Sequence, residues 1–260
     1  MKNAAVITQE EKMIEENKIQ ILSYIEGAKK ARGLTVIIDV FRAFSLECYL
    51  YDMGVKGIRP VETIEEAFLL GSQIDHSILI GERRGKKCEG FDFGNSPSTV
   101  DRERIKGATV IHTTSAGTQG IANARKAEEI ITGSLVNARA VAEYILKKNP
   151  KEVSLVCMGN NGVTYAAEDE LCALYIKSLL TGISLENFEQ RVKDLQEKGG
   201  EHFFNERTQE IFPKEDFWLC IKYDIFPFVI KVNRQENGYF TEQIFMKNKG
   251  EERKAEKREK

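Results

Sequence analysis

Seventeen residues, Gly81 to Pro97 (G-E-R-R-G-K-K-C-E-G-F-D-F-G-N-S-P), hold most of the groups that could do chemistry. Four are basic (Arg83, Arg84, Lys86, Lys87), three are carboxylates (Glu82, Glu89, Asp92) and four are glycines. That glycine density rules out a helix and that charge rules out a core, so the segment reads as a loop following the apolar strand Ser77 to Ile80. Carboxylates beside cations suit a small polyanion held through a hard, oxygen-seeking cation such as Mg2+.

Three other stretches place polar residues at strand ends. Asp39 closes the β-branched run Leu34 to Val40 and is followed by Arg42, whose guanidinium suits two phosphoryl oxygens at once. T-T-S-A-G-T, Thr113 to Thr118, joins a strand to a helix, where free N–H groups and the small Gly117 admit an oxyanion. Glu168 and Asp169 open a helix after Gly159 to Gly162. In isolation each has a plainer reading: an Asp39–Arg42 ion pair, a Ser/Thr cap, acids that complement a helix dipole. Together they form four loops expected on one edge of a sheet, where ligands bind in α/β proteins.

Familiar phosphate-handling patterns are missing. Gly81 to Lys86 lacks P-loop spacing and the following Ser/Thr. Asp39 has Phe41 two places later, not a second aspartate, and no cysteine has an arginine six places on. The histidines are isolated, and His112, inside a strand pattern, reads as a packed residue. With no nucleophile for a phosphoenzyme, a cation-activated water remains.

These residues sit on alternating strands and helices. Strands are expected near Lys18–Tyr24, Leu34–Val40, Gly57–Val61, Ser77–Ile80, Ala108–Thr113, Glu129–Thr132 and Glu152–Met158. Helices are expected over Thr8–Asn17, Phe44–Met53, Ile64–Leu70, from the Ser115–Thr118 turn to Arg125, and over Ala138–Lys147, Ala166–Leu180 and Leu185–Lys198. The fold class is α/β: a layered, mostly parallel sheet with helices on both faces. A hairpin is expected around Asn237-Gly238. The organisation expected is an N-terminal extension (1–33), one α/β catalytic domain (34–246) and a charged, disordered tail (247–260).

The 260 residues are 42% hydrophobic and 30% charged with a net charge of −2, which fits a globular protein and argues against a nucleic-acid partner. Five scattered cysteines without a C-x-x-C pair suggest reduced thiols and a cytoplasmic setting. No stretch reads as a signal peptide or a membrane span. Homodimerisation is the default expectation.

V-I-I-D-V-F-R-A, G-E-R…E-G-F-D-F-G-N-S-P, T-T-S-A-G-T and A-E-D-E-L-C-A, in this order, resemble the 2-phosphosulfolactate phosphatase family. The resemblance implies a compact α/β fold and Mg2+-dependent hydrolysis of 2-phospho-3-sulfolactate to sulfolactate and phosphate, a step towards coenzyme M. On that reading Asp39, Glu82, Glu168 and Asp169 hold the metal. Arg42, Ser115, Gly117 and Thr118 bind the phosphoryl group. Arg83, Lys87 and Asn95 meet the rest of a small anionic organophosphate, and Glu89 or Asp92 accepts the water's proton. Phe41, Phe44, Arg84 and Ala116 depart from the family pattern, so a non-catalytic binder of an anionic metabolite, or a phosphatase for another phosphohydroxyacid, stands as the alternative.

Overall fold

The computed structural model describes residues 13–246. The expected helix at Thr8 and the charged tail fall mainly or wholly outside this range; within it, Glu16–Lys18 forms a single 3-10 turn. In chain order the elements are β1 (Ile19–Ser23), α1 (Tyr24–Ala28), β2 (Gly33–Ile38), α2 (Ala43–Asp52), β3 (Gly57–Pro60), α3 (Ile64–Gln73), β4 (Ser77–Arg83) and β5 (Lys86–Lys87). Then come α4 (Arg102–Ile105), β6 (Thr109–Thr113), α5 (Gly117–Asn123), β7 (Ala127–Gly133), α6 (Ala138–Lys148), β8 (Val153–Cys157), α7 (Ala167–Thr181), α8 (Phe188–Asp194), α9 (Lys214–Cys220), β9 (Phe228–Gln235) and β10 (Gly238–Phe245).

The α/β alternation holds, and one sheet of ten strands runs β1-β8-β2-β7-β9-β10-β3-β6-β4-β5. It contains two parallel blocks, β1-β8-β2-β7 and β3-β6-β4, joined by the antiparallel C-terminal hairpin β9–β10. β1 pairs in register with β8, so the segment counted with the N-terminal extension is part of the same sheet. The hairpin expected around Asn237-Gly238 forms as β9–β10, and it lies in mid-sheet.

Three antiparallel steps (β7–β9, β9–β10, β10–β3) reverse the second block relative to the first. Strand polarity alone therefore does not put all four loops on one edge, contrary to expectation. The helices do this instead. α2 leaves β2 and lays Leu46, Cys48 and Leu50 against Ile58, Ile80 and Val110 of the other block. α5 leaves β6 and packs Ile121 with Ile37 and Val156 of the first block. Each helix crosses to the opposite block, and burial of such apolar side chains, about 1.5–3 kcal/mol each, fixes the crossing.

The charged segment is less of a loop than its composition suggests. β4 runs on to Arg83 and turns back into β5 through Arg84 and Gly85, whose φ angles are 53° and 81°. Two consecutive positive φ values are the geometry of a two-residue hairpin turn. Arg84 adopts it without being glycine, at a cost of about 1 kcal/mol.

Phe44 is fully buried beneath the β6–α5 turn, and Phe41 packs on Phe203 and Phe217. These two departures belong to packing. All five cysteines are buried and free. No helix among the described residues is long and apolar enough to cross a membrane.

Candidate active site

The crossing of α2 and α5 brings Asp39 against the T-T-S-A-G-T turn. A Cβ placed on Gly117 would lie 2.9 Å from Asp39 Oδ2 and 2.9 Å from Ala43 Cβ, so only glycine lets this turn approach. Asp39 Oδ1 accepts from Ala43 N at 3.1 Å; Asp39 does not pair with Arg42. Thr114 and Thr118 bond reciprocally, each hydroxyl accepting from the other's main-chain N–H at 2.9 and 3.1 Å. Neither Ala116 N–H nor Gly117 N–H has an acceptor among the described residues. Two donors therefore remain for an anion.

Glu82, at the end of β4, reaches the same turn. Its Oε1 accepts from Ser115 N at 2.6 Å, and its Oε2 accepts from Gly85 N at 2.6 Å and Ser115 Oγ at 3.2 Å. These three bonds clamp the β4–β5 hairpin to the β6–α5 turn.

Asp169 ties together the ends of β2 and β8. Its Oδ1 accepts from Val40 N at 2.8 Å and its Oδ2 from Gly159 N at 2.7 Å. Burial pushes its carboxyl up to about 6, while the N–H donors hold it down. Burial, then the Asp169 and Glu82 charges, push Asp39 up to about 8. Glu168 lies well above the ordinary carboxylate range through burial and the charges of Asp169, Asp39 and Glu201. Its Oε2 is buried with no hydrogen-bond partner among the described residues.

Asp39, Glu168 and Asp169 are thus nearly solvent-free and close enough to repel one another. No lysine or arginine pairs with any of them among the described residues. A buried, unpaired carboxylate is strongly unfavourable unless a cation offsets it. No three acidic, imidazole or thiol groups among the described residues stand close enough to hold a metal ion, so the expected set of Asp39, Glu82, Glu168 and Asp169 is not a preformed cage. Mg2+ typically takes one or two carboxylates and keeps its remaining sites for water and substrate phosphate.

Other sequence-derived candidates are engaged elsewhere. Arg42 is 3% exposed; its Nη1 donates to Asp216 Oδ2 at 2.7 Å and to Ile211 O at 2.9 Å, and Phe212 stacks 5.0 Å away. It is not a free phosphate clamp, because its charge is already paired. Asp92 accepts from Arg104 at 2.8 Å and from Leu79 N at 2.9 Å, so it fastens its loop and is ill suited to take a proton. Glu89 is exposed, without an ion pair among the described residues. Lys87 Nζ donates to Phe91 O at 3.1 Å, and Arg83 donates to Thr113 Oγ1 at 2.9 Å and Glu62 O at 3.1 Å. Asn95 meets the buried His112 ring at 3.1 Å.

Sequence reasoning missed Asp216. It is fully buried in α9 and also accepts from Ser96 Oγ and Ser98 N, each at 3.0 Å. The one available signal was an acid among aromatics, Asp216-Phe217-Trp218 beyond Phe212.

The site defines an α/β protein with a buried carboxylate cluster whose Asp39 abuts a turn carrying two free main-chain donors, an arrangement that can receive an anion. The sequence profile of the 2-phosphosulpholactate phosphatase family matches residues 21–235, and the chain belongs to that family. It is similar to proteins named "Probable 2-phosphosulfolactate phosphatase". One, from Caldanaerobacter subterraneus subsp. tengcongensis, is 34% identical over 213 residues, covering 76% of this chain and 86% of the relative. Another, from Clostridium acetobutylicum, is 34% identical over 216 residues, covering 77% and 90%. A third, from Caldicellulosiruptor saccharolyticus, is 44% identical over 158 residues, covering 59% of this chain and 63% of the relative.

Proposed function

We propose that this chain is a Mg2+-dependent phosphatase of a small, multiply anionic phosphate monoester, with 2-phospho-3-sulfolactate, named in its relatives, as substrate and sulfolactate, a precursor type for coenzyme M, as product. The observation that carries the reading is the buried carboxylate cluster of Asp39 and Glu168, unpaired by lysine or arginine among the described residues, with Asp39 against the turn whose Ala116 and Gly117 N–H groups have no acceptor there. Asp39 and Glu168 would hold the ion. Asp169, held by its N–H donors, keeps the two strand ends and hence Asp39 in place. When bound, Mg2+ supplies Lewis-acid polarisation of the phosphoryl group and a template for the attacking water.

The chain's own groups do the rest. The Ala116 and Gly117 N–H groups donate to phosphoryl oxygens, where preorganised donors act most strongly on developing charge. Arg83 and Lys87 supply positive charge for the carboxylate and sulfonate. Glu82 keeps the turn rigid through its three bonds. The protein would work in the cytoplasm as a homodimer.

Phosphate release from 2-phospho-3-sulfolactate and from phospholactate, each with Mg2+ and with EDTA, tests this. The expected result is Mg2+-dependent release that favours the sulfonated substrate. Capture of Arg42 by Asp216 favours a second reading, a metabolite binder without turnover, which tight binding without phosphate release would support.

A further inference from the structure

The groups proposed to receive the cation and the anion are shut in. Asp39, Ala116, Thr118, Glu168 and Asp169 are each at most 7% exposed, so a phosphate ester must displace part of the protein to reach them. The segment 199–212 forms a roof over them, built from the single 3-10 turns Glu201–Phe204 and Glu206–Thr208. Its root lies on the carboxylates: a Cβ on Gly199 would stand 2.9 Å from Glu168 Oε2, the oxygen without a partner. Its far end lies on the β4–β5 hairpin, where a Cβ on Gly85 would collide with the Phe212 ring. Gly85 N donates to Glu82 Oε2 at 2.6 Å and Arg84 N donates to Ser115 Oγ at 3.0 Å. Phe212 is thus separated from the anion-binding turn by the hairpin alone.

Most of the roof is fixed. Phe203 is fully buried, its ring centroid 5.1 Å from that of Phe41. Thr208 Oγ1 donates to His202 O at 2.9 Å and Gln209 Nε2 to Phe203 O at 2.7 Å, which knits the two turns together. Ile211 O accepts from Arg42 Nη1 at 2.9 Å, and Arg42 is itself held by Asp216.

The Phe212 side chain differs. Its main-chain N–H donates to Thr208 O at 2.7 Å, but its ring is only half-buried. The Arg42 guanidinium lies 5.0 Å from the ring centroid and the His202 ring meets it edge-on at 4.6 Å. Packing and attraction to that cation are all that hold the ring. Such a ring turns about its side-chain bonds far faster than a bonded segment lifts.

We infer that Phe212 is a gate: its ring closes the gap between the β4–β5 hairpin and the roof, swings out to let the anion pass, and swings back behind it. This rests on the anion site proposed above. A gate that does not touch its ligand changes the rates of entry and exit together and leaves affinity alone. A contact residue changes affinity, chiefly through exit.

The test uses the full chain with Mg2+ and inorganic phosphate. Calorimetry gives Kd, and 31P exchange NMR gives the exit rate and hence the entry rate. Phe212→Ala should speed entry and exit about tenfold each while Kd moves by less than about twofold. Phe212→Trp, with its larger ring, should slow both. A purely structural role would lower Tm and leave exchange unchanged. Exchange at the wild-type rate in a folded Phe212→Ala, or a Kd that rises through exit alone, would overturn the inference. Should Phe212→Ala fail to fold, Phe212→Leu carries the test, with smaller increases in both rates.

No phosphate binding to the wild type would remove the site and the gate together. Release of phosphate from a phosphohydroxyacid, with exchange indifferent to residue 212, would keep the phosphatase reading and remove the gate. Gated phosphate binding without release from any phosphohydroxyacid would do the reverse.

Discussion

Arg42 Nη1 donates to Asp216 Oδ2 across 2.7 Å, joining residues 174 apart in sequence with neither side chain more than 3% exposed. The pair binds the β2–α2 loop to α9, and through Ser96 and Ser98 to the end of the charged segment. It is a buried polar fastening between the C-terminal segment and the β2–α2 loop.

Asp216→Asn should therefore be costly. It keeps the shape but leaves the Arg42 charge uncompensated, and breaking a buried pair in this way costs about 3–5 kcal/mol. Urea denaturation should show an unfolding free energy lower by that amount, read from a lower midpoint at unchanged m. A change under 1 kcal/mol would mean that the pair contributes little.

On the proposed reading Mg2+ should raise the Tm of the wild type, and Asp39→Asn should abolish that rise. Turnover should fall on the order of a hundredfold or more, the scale for removing one electrostatic contact to a transition state. Thermal scans with and without Mg2+, alongside phosphate release, measure both. An intact Mg2+ response would remove Asp39 from the metal site.

The metal-free protein should lose stability as pH rises. Asp39 and Asp169 are raised in the folded state from 3.8 to about 8 and about 6, so the fold binds more protons than the unfolded chain between those values. The contribution is fully present below pH 3.8 and is lost as pH climbs through about 6 and about 8. On the proposed reading Mg2+ would compete with those protons, so its stabilising effect should be small at pH 5 and large at pH 9. Tm in EDTA and in Mg2+ across that range tests the sign; a metal-free Tm that rises with pH would contradict it.

Gly117→Ala should fold but perform poorly. Its methyl would meet Asp39 Oδ2 and Ala43 Cβ at 2.9 Å and Phe44 Cζ at 3.1 Å. Overpacking of this kind costs about 1–3 kcal/mol. Because Asp39 is one of the crowded atoms, kcat should fall at least tenfold while circular dichroism stays native. Unaltered kcat would show that the turn and Asp39 do not act together.

Local pattern carried much of the fold. The apolar run Leu34 to Val40 became β2, Ala138 to Lys147 became α6, and Glu168 and Asp169 open α7, because periodicity and chain breakers act over a few residues. Leu185 to Lys198 is helical only in part. Its helix covers Phe188–Asp194, and the rest turns so that Gly200 can pack against Phe217, whose ring lies 2.5 Å from a Cβ built on that glycine.

By itself the sequence determined which residue types cluster at strand ends, and hence that acids and anion donors would be available. Tertiary structure alone decided which remain available. The β9–β10 hairpin enters mid-sheet and reverses one block, and the crossing of α2 and α5 reunites Asp39 with Gly117. Asp216 then occupies Arg42, and the buried His112 ring meets Asn95. The physical reason is range: secondary structure follows near neighbours, whereas a side chain's hydrogen-bond partner depends on which distant segment packs beside it.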